Sequence, residues 1–156
     1  MKEKYYMSDV SSFEKKNLLY QTYKNIFDDN WNKENFLSFS NYPYIESFLL
    51  YGNYDFPIGV GIFSKINNEV EVLKFGIVSK YRQKGFGYYY LKYLIDIYKI
   101  KKIENIFLEV SVKNTYAIKL YLKLGFKKLN IRDKYYKNNY GEYEDAIVMK
   151  KKIRVF

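Results

Sequence analysis

The chain has 156 residues, 27 of them Lys or Arg against 17 Asp or Glu, for a formal charge of +10, and it carries neither Cys nor His. Those absences exclude thiol nucleophiles, imidazole bases, serine triads with His, disulfides and Cys/His metal sites, so no metal is expected. Any general base must be a carboxylate, Lys, Tyr or water. The length predicts a single domain over 1–156, large enough to bury a core unaided. The positive charge comes from 24 Lys and three Arg dispersed along the chain, amid 20 Tyr, 12 Phe and only two Ala. Such usage fits A/T-biased codons, so the charge is read as composition and no direct nucleic-acid partner is required. The N-terminus lacks an apolar signal run and no segment approaches ~18 apolar residues, which predicts a soluble cytoplasmic protein with no membrane partner.

In chain order, Lys2 to Met7 predicts a short strand, and Ser8 or Ser11 is the expected cap of a helix of mixed polarity that fades near Asp28. Trp31 to Phe39 predicts a second, shorter helix. Tyr44 to Tyr51 and Ile58 to Lys65 read as antiparallel strands, with Asn67-Asn68 supplying turn chemistry after them. In Glu69 to Val78 the apolar phase passes from Val70 and Val72 to Leu73, Phe75 and Ile77. Strand side chains repeat every two residues, so this slip predicts a bulge, with Gly76 a candidate position. Gly85 to Ile100 carries a helical stripe of Tyr90, Leu91, Leu94 and Tyr98, and Asn105 to Val110 returns as a strand, giving a strand-helix-strand crossover. Asn114 is placed to cap a helix with Ala117, Leu120, Tyr121 and Leu124 on one face, ended by Gly125. Phe126 to Arg132 and Tyr143 to Lys151 are the last strands, joined by a polar, Tyr-rich connection from Asp133 to Glu142. The class is mixed α/β.

Two clusters carry chemistry. Arg82-Gln83-Lys84-Gly85-Phe86-Gly87 falls between a strand and a helix, where amide N–H groups and the helix dipole favour an anion and glycines admit a phosphate to the backbone. A tight turn that binds nothing has the same sequence, and the dinucleotide fingerprint fails because Tyr90 stands where its third Gly belongs. The second cluster is Glu109, on an apolar strand, with Asn114 and Tyr121 on the following helix. A carboxylate in apolar surroundings suits a general base. A half-exposed Glu paired with Lys, and a Tyr packed in the core, are the plain alternatives.

Taken together, Phe75 to Phe126 resembles the GNAT superfamily of acetyl-coenzyme A dependent N-acetyltransferases. The family's phosphate loop, [RQ]-x-x-G-x-[GA], is met by Arg82, Gly85 and Gly87, and a later signature by Asn114-x-x-Ala117-x-x-x-Tyr121-x-Lys123-Leu124-Gly125-Phe126. Trp31 with Phe36, Leu108-Glu109-Val110, Arg132-x-x-Tyr135-Tyr136 and Glu144 to Met149 are similar to the RimI-type branch, the ribosomal-protein-alanine N-acetyltransferases. The resemblance implies a mostly antiparallel central sheet with a bulged strand and flanking helices, and acetyl-CoA as co-substrate. It makes Phe75, Gly76 and Ile77 the strand that pairs with pantetheine, and Arg82, Gln83, Lys84, Gly85, Phe86, Gly87 and Tyr88 the pyrophosphate loop. Asn114 becomes a further coenzyme contact, Glu109 the base and Tyr121 the acid, with Trp31, Tyr135 and Tyr136 walling the acceptor's entrance. The implied acceptor is the α-amine of a protein N-terminus, a ribosomal protein among the candidates. A GNAT enzyme acting on a small amine (polyamine, aminoglycoside or amino acid) and a basic, aromatic RNA-binding module are the competing readings. Ser79-Lys80 departs from the family's acidic or Pro-containing turn before the phosphate loop.

Overall fold

The computed structural model describes residues 5–138 and 140–153; Lys2 to Lys4 of the expected first strand lie outside them. Seven strands and four α-helices follow one another as β1 (Tyr6–Asp9), α1 (Phe13–Lys24), α2 (Lys33–Phe39), β2 (Ile45–Tyr51), β3 (Pro57–Ile66), β4 (Glu69–Ile77), α3 (Phe86–Ile100), β5 (Asn105–Ser111), α4 (Thr115–Lys123), β6 (Lys127–Lys137) and β7 (Tyr143–Lys152). The strands run in the order β1-β2-β3-β4-β5-β7-β6. β4 and β5 pair parallel, as the intervening crossover helix requires, whereas β1–β2, β2–β3, β5–β7 and β6–β7 pair antiparallel. The fold is therefore the mixed α/β architecture expected from the sequence. Among the described residues no helix is long and apolar enough to cross a membrane.

The chain divides into two compact units, 1–66 with 73–90, and 67–72 with 91–156. In the first, α1 starts one residue later than expected, because the Ser12 hydroxyl accepts from the Lys15 N–H at 3.2 Å. The helix buries Leu19 and Tyr23 in a cluster with Phe36, Leu49, Tyr51, Val60 and Ile62. Tyr23, Trp31 and Phe36 meet edge-on or tilted, with ring centroids 4.8–6.0 Å apart. A second cluster gathers Leu50, Ile58, Ile77, Tyr81 and Tyr90.

In the second unit, β4 pairs with β5 from Glu69↔Asn105 to Val72↔Leu108, although the strand itself continues to Ile77. Burial falls on Val70 and Val72 and next on Ile77, so the phase change read from the sequence lies between Leu73 and Gly76. β5 alternates strictly, burying Ile106, Leu108 and Val110. α4 ends as a Schellman motif: the Phe126 N–H reaches the Tyr121 carbonyl at 3.0 Å, the Gly125 N–H reaches Leu122, and Gly125 adopts φ +85°. β6 departs from expectation. It runs on to Lys137 and takes Tyr135 and Tyr136 into the strand, so the connection to β7 is short. A register shift between Arg132 and Tyr136 absorbs the extra residues, with Lys134 at φ +50° and its N–H donating to the Asp145 carboxylate at 2.8 Å.

Candidate active site

In the first unit, the β4 segment Phe75 to Ile77 is followed by one turn of 3₁₀ helix, Ser79–Tyr81, and then by the glycine loop. The Arg82 Nε donates to the Ile77 carbonyl at 2.8 Å, pinning the loop to the end of β4 with one of the five guanidinium donors. Gln83 and Gly85 both take positive φ, +59° and +85°. At Gly85 a built Cβ meets nothing within 4 Å, so the glycine answers to backbone conformation and the space above it is open. The Gly85 carbonyl accepts from the Tyr89 N–H at 3.0 Å, which starts α3. The amides of Phe86, Gly87 and Tyr88 fall in its first turn, where no intrahelical carbonyl faces them. The ammonium groups of Lys80 and Lys84 lie 5.0 and 5.7 Å from the Tyr81 ring centroid. Helix dipole, first-turn amides, Arg82, Lys84 and an open glycine make a fitting seat for a polyphosphate.

Gly76 has the opposite character. A Cβ there would lie 2.5 Å from Ile26 Cγ2 and 2.9 Å from Phe27 Cζ, so the segment after α1 closes directly onto this strand. Asp29 fastens that segment: it accepts from the Tyr23 hydroxyl, from the Trp31 N–H at 3.3 Å and from Lys74 at 3.3 Å. Burial alone would raise the Asp29 pKa, but the Tyr23 hydroxyl, the Trp31 amide and the Lys74 ammonium outweigh it and hold the carboxyl below its ordinary range. Trp31 is half-buried among Tyr23, Phe36 and Phe39, so its ring is anchored by core packing.

In the second unit, Glu109 Oε1 pairs with the Arg132 guanidinium at 2.8 Å, and its side chain is 12% exposed. The Tyr135 hydroxyl hydrogen-bonds the same carboxylate, which raises the Tyr135 pKa. The Tyr136 hydroxyl donates to the Glu109 carbonyl at 3.2 Å. Burial, then the charge of Glu109, pushes Tyr136 up to about 12. Tyr121 is buried on α4 against Phe126, ring centroids 5.7 Å apart, and burial pushes its phenol up to about 12 as well. Asn114 caps α4, its Oδ1 accepting from the Ala117 N–H at 3.2 Å, while its exposed amide remains a donor. Arg132, Tyr135 and Tyr136 thus converge on Glu109 from β6. Sequence reading missed a second carboxylate, Glu71 on β4, whose charge interacts with Glu109 and Arg132.

Residues 16–126, well over half of the chain, match the acetyltransferase (GNAT) family. The chain belongs to that family. It is similar to the [ribosomal protein bS18]-alanine N-acetyltransferase of Salmonella typhimurium, 34% identical over 82 residues, covering 53% of this chain and 55% of that protein. The chain thus matches about half the length of that curated relative. Its fold superposes on the ribosomal-protein-S18-alanine N-acetyltransferase from Escherichia coli with a TM-score of 0.86 at 25% identity, covering 98% of this chain and 96% of the other. At 18% identity, Arabidopsis thaliana NAA60 in complex with acetyl-CoA shares the fold, with a TM-score of 0.79 over 96% of this chain and 99% of that one.

Proposed function

We propose that this GNAT protein transfers an acetyl group from acetyl-CoA to the α-amine of a protein N-terminus. Residues 1–156 are taken as one acetyltransferase domain. The observation that carries the reading is the pair formed, within a GNAT chain, by a half-buried carboxylate, Glu109, and a buried phenol, Tyr121, held in its protonated form. Acetyl-CoA supplies the acetyl group as a thioester, whose carbonyl carbon forms the new C–N bond as its C–S bond breaks. Gln83 to Tyr88 bind the pyrophosphate through backbone amides, with Arg82 and Lys84 adding charge and Asn114 a further contact. The backbone of Phe75 to Ile77 pairs with the pantetheine arm. Tyr121 donates a proton to the leaving thiolate. Glu109 withdraws a proton from the amine, directly or through water. Of the three ammonium protons one stays on the amide, one is balanced by the new thiol and one leaves to solvent.

The amine's own chemistry favours an N-terminus over a lysine. Reference pKa values are about 7.7–8.0 for an α-amine and 10.4 for lysine, so deprotonation at neutral pH costs roughly 3 kcal/mol less for the former. One carboxylate suffices for that task, and the chain has no imidazole to add. Tyr135 and Tyr136, about half- and one-third-exposed on β6, are the proposed walls around the acceptor's first residues. Ribosomal proteins are the acceptor class suggested by the names of the similar enzymes, and they make the setting cytoplasmic. The test is acetyl transfer from acetyl-CoA to peptides differing in their first residues, with spermidine and free lysine as controls. Transfer to free α-amines, abolished by N-terminal blocking, is the expected result. Inert peptides beside efficiently acetylated spermidine or lysine would overturn the N-terminal acceptor.

A further inference from the structure

At one point β6 carries three residues where β7 carries one: Arg132 pairs with Ala146 and Tyr136 with Glu144, so Asp133, Lys134 and Tyr135 together stand opposite Asp145. The middle residue of the three, Lys134, takes φ +50°, a left-handed conformation uncommon for a residue with a Cβ. Its N–H donates to Asp145 Oδ1 at 2.8 Å. Asp145 is half-buried and fixed on β7: its carbonyl accepts from the Val112 N–H at 3.0 Å. Glu144 beside it accepts from the Ser111 hydroxyl at 2.7 Å and pairs with Lys113 at 2.9 Å. β7 thus gives the bulge a fixed base.

The bulge decides which side chains reach Glu109. In a regular strand, neighbouring side chains point to opposite faces. Tyr135 and Tyr136 break that rule: one hydroxyl reaches the Glu109 carboxylate, and the other donates to the Glu109 carbonyl at 3.2 Å. Their rings meet edge-on, with centroids 5.0 Å apart. Arg132, on the other flank of the bulge, pairs with Glu109 Oε1 at 2.8 Å, and its guanidinium carbon lies 5.4 Å from the Tyr135 ring centroid. The three β6 side chains that converge on Glu109 therefore flank or belong to the one segment whose conformation Asp145 holds.

We propose that Asp145 is a positioning residue for the acceptor side of the site: by accepting the Lys134 amide it holds β6 in the three-against-one bulge that turns Tyr135 and Tyr136 onto Glu109 together. The role rests on the acetyl-transfer reading of Glu109 and of the two tyrosines as walls of the acceptor's seat. Asp145 itself touches no reactant. Its task needs an acceptor oxygen in the right place and no negative charge, so Asn can replace it and Ala cannot. Without that oxygen the Lys134 N–H loses its partner, and nothing offsets the left-handed conformation. β6 then relaxes toward regular pairing, in which Tyr135 turns to the face opposite Tyr136.

The test uses protein carrying ¹³C at the hydroxyl-bearing ring carbon of tyrosine, with Tyr135 assigned through Tyr135→Phe. In the parent this phenol titrates above its ordinary value, chiefly because its hydroxyl donates to Glu109, then through burial and the Glu109 charge, with Arg132 opposing and Glu71 adding. Asp145→Ala should bring the midpoint down toward about 10, and Asp145→Asn should keep the parent's. In kinetics, Asp145→Ala should raise the KM of a peptide beginning with Ala about tenfold, with kcat changed less than about threefold and coenzyme A affinity unchanged. Asp145→Asn should restore the KM. Deleting Asp133 and Lys134 leaves one residue opposite Asp145 and removes the bulge outright, so it tests the role even where Asp145→Ala fails to fold. The deletion should raise the peptide KM by a similar factor, and adding Asp145→Ala to it should do nothing more. An unchanged midpoint or KM in Asp145→Ala, an Asp145→Asn no better than Ala, a deletion with the parent's KM, or fully additive effects would overturn the role. Peptides inert with the parent would overturn the acceptor reading alone; the phenol midpoint then decides for or against Asp145.

Discussion

Replacing Gly76 by Ala separates two explanations for a glycine in β4. Gly76 is not at a positive φ, so Ala meets no backbone penalty there; the obstacle is steric. The added methyl would stand 2.5 Å from Ile26 Cγ2 and 2.9 Å from Phe27 Cζ, where ordinary contact begins near 3.4 Å. Ile26 and Phe27 pack against the buried cluster around Leu19 and Tyr23, so neither can withdraw without disturbing it. Overpacking of this kind costs roughly 1–3 kcal/mol, offset by about 0.4–1 kcal/mol from the lower unfolded-state entropy of Ala. The expected net loss is about 1–2 kcal/mol, or roughly 2–8 °C in Tm for a chain of this length. Urea titration monitored by Trp31 fluorescence measures it. In the double variant with Ile26→Ala, the nearest clashing atom is gone, so the combined loss should be smaller than the sum of the single losses. A neutral Gly76→Ala, or strictly additive losses, would refute the steric account.

Gly85→Glu should fold with a modest loss of stability from its φ of +85° and should abolish the rise in Tm that coenzyme A gives the parent, since a carboxylate then occupies the open space over the loop; an undiminished rise refutes the loop as the phosphate seat. Tyr121→Phe should lower turnover by about 10²-fold while leaving coenzyme A affinity within about twofold, measured by steady-state kinetics and calorimetry. Asp29→Asn should destabilise the protein at neutral pH and flatten its acid response. The folded pKa of Asp29 lies below the unfolded value, so its contribution is present above the ordinary carboxylate pKa of about 4 and is lost as pH falls through the folded one. Urea midpoints of parent and variant should therefore converge as pH falls below the ordinary carboxylate range, and midpoints that stay parallel at all pH values would refute the assignment.

The phase slip in β4 was legible because both of its halves bury apolar side chains: Val70 and Val72 before it, Ile77 after it. The end of α4 was legible because Gly125 closes an amphipathic helix at the left-handed position. β6 left no such trace beyond Arg132. Every residue of it is exposed, so no alternation marks its length, and Asp133 to Lys137 read as a polar connection until Asp145 is seen holding the Lys134 amide. The cap of α1 was ambiguous for a related reason. Ser8, Ser11 and Ser12 all precede a helix whose first residue, Phe13, is 73% exposed, and apolar burial could not choose among them.

Glu71 was illegible for a different reason, one that bears on how a chain lacking imidazole manages protons. An acid between Val70 and Val72 has the pattern of any solvent-facing strand residue, and only the parallel register with β5 sets it beside Glu109. Carboxylates and phenols ordinarily titrate near 4 and 10, far on either side of neutrality. The fold raises Glu71 above its ordinary value through burial and then the like charge of Glu109, with Arg132 opposing. It raises Tyr121 as well, to about 12, away from neutrality, so that its phenol keeps a proton to give. In the proposed assignment the two roles fall in different environments: Glu109, held by Arg132 on one face of β5, for the base, and Tyr121, on the packed side of α4, for the acid. The same two residue types on a flat, solvated surface would have neither property.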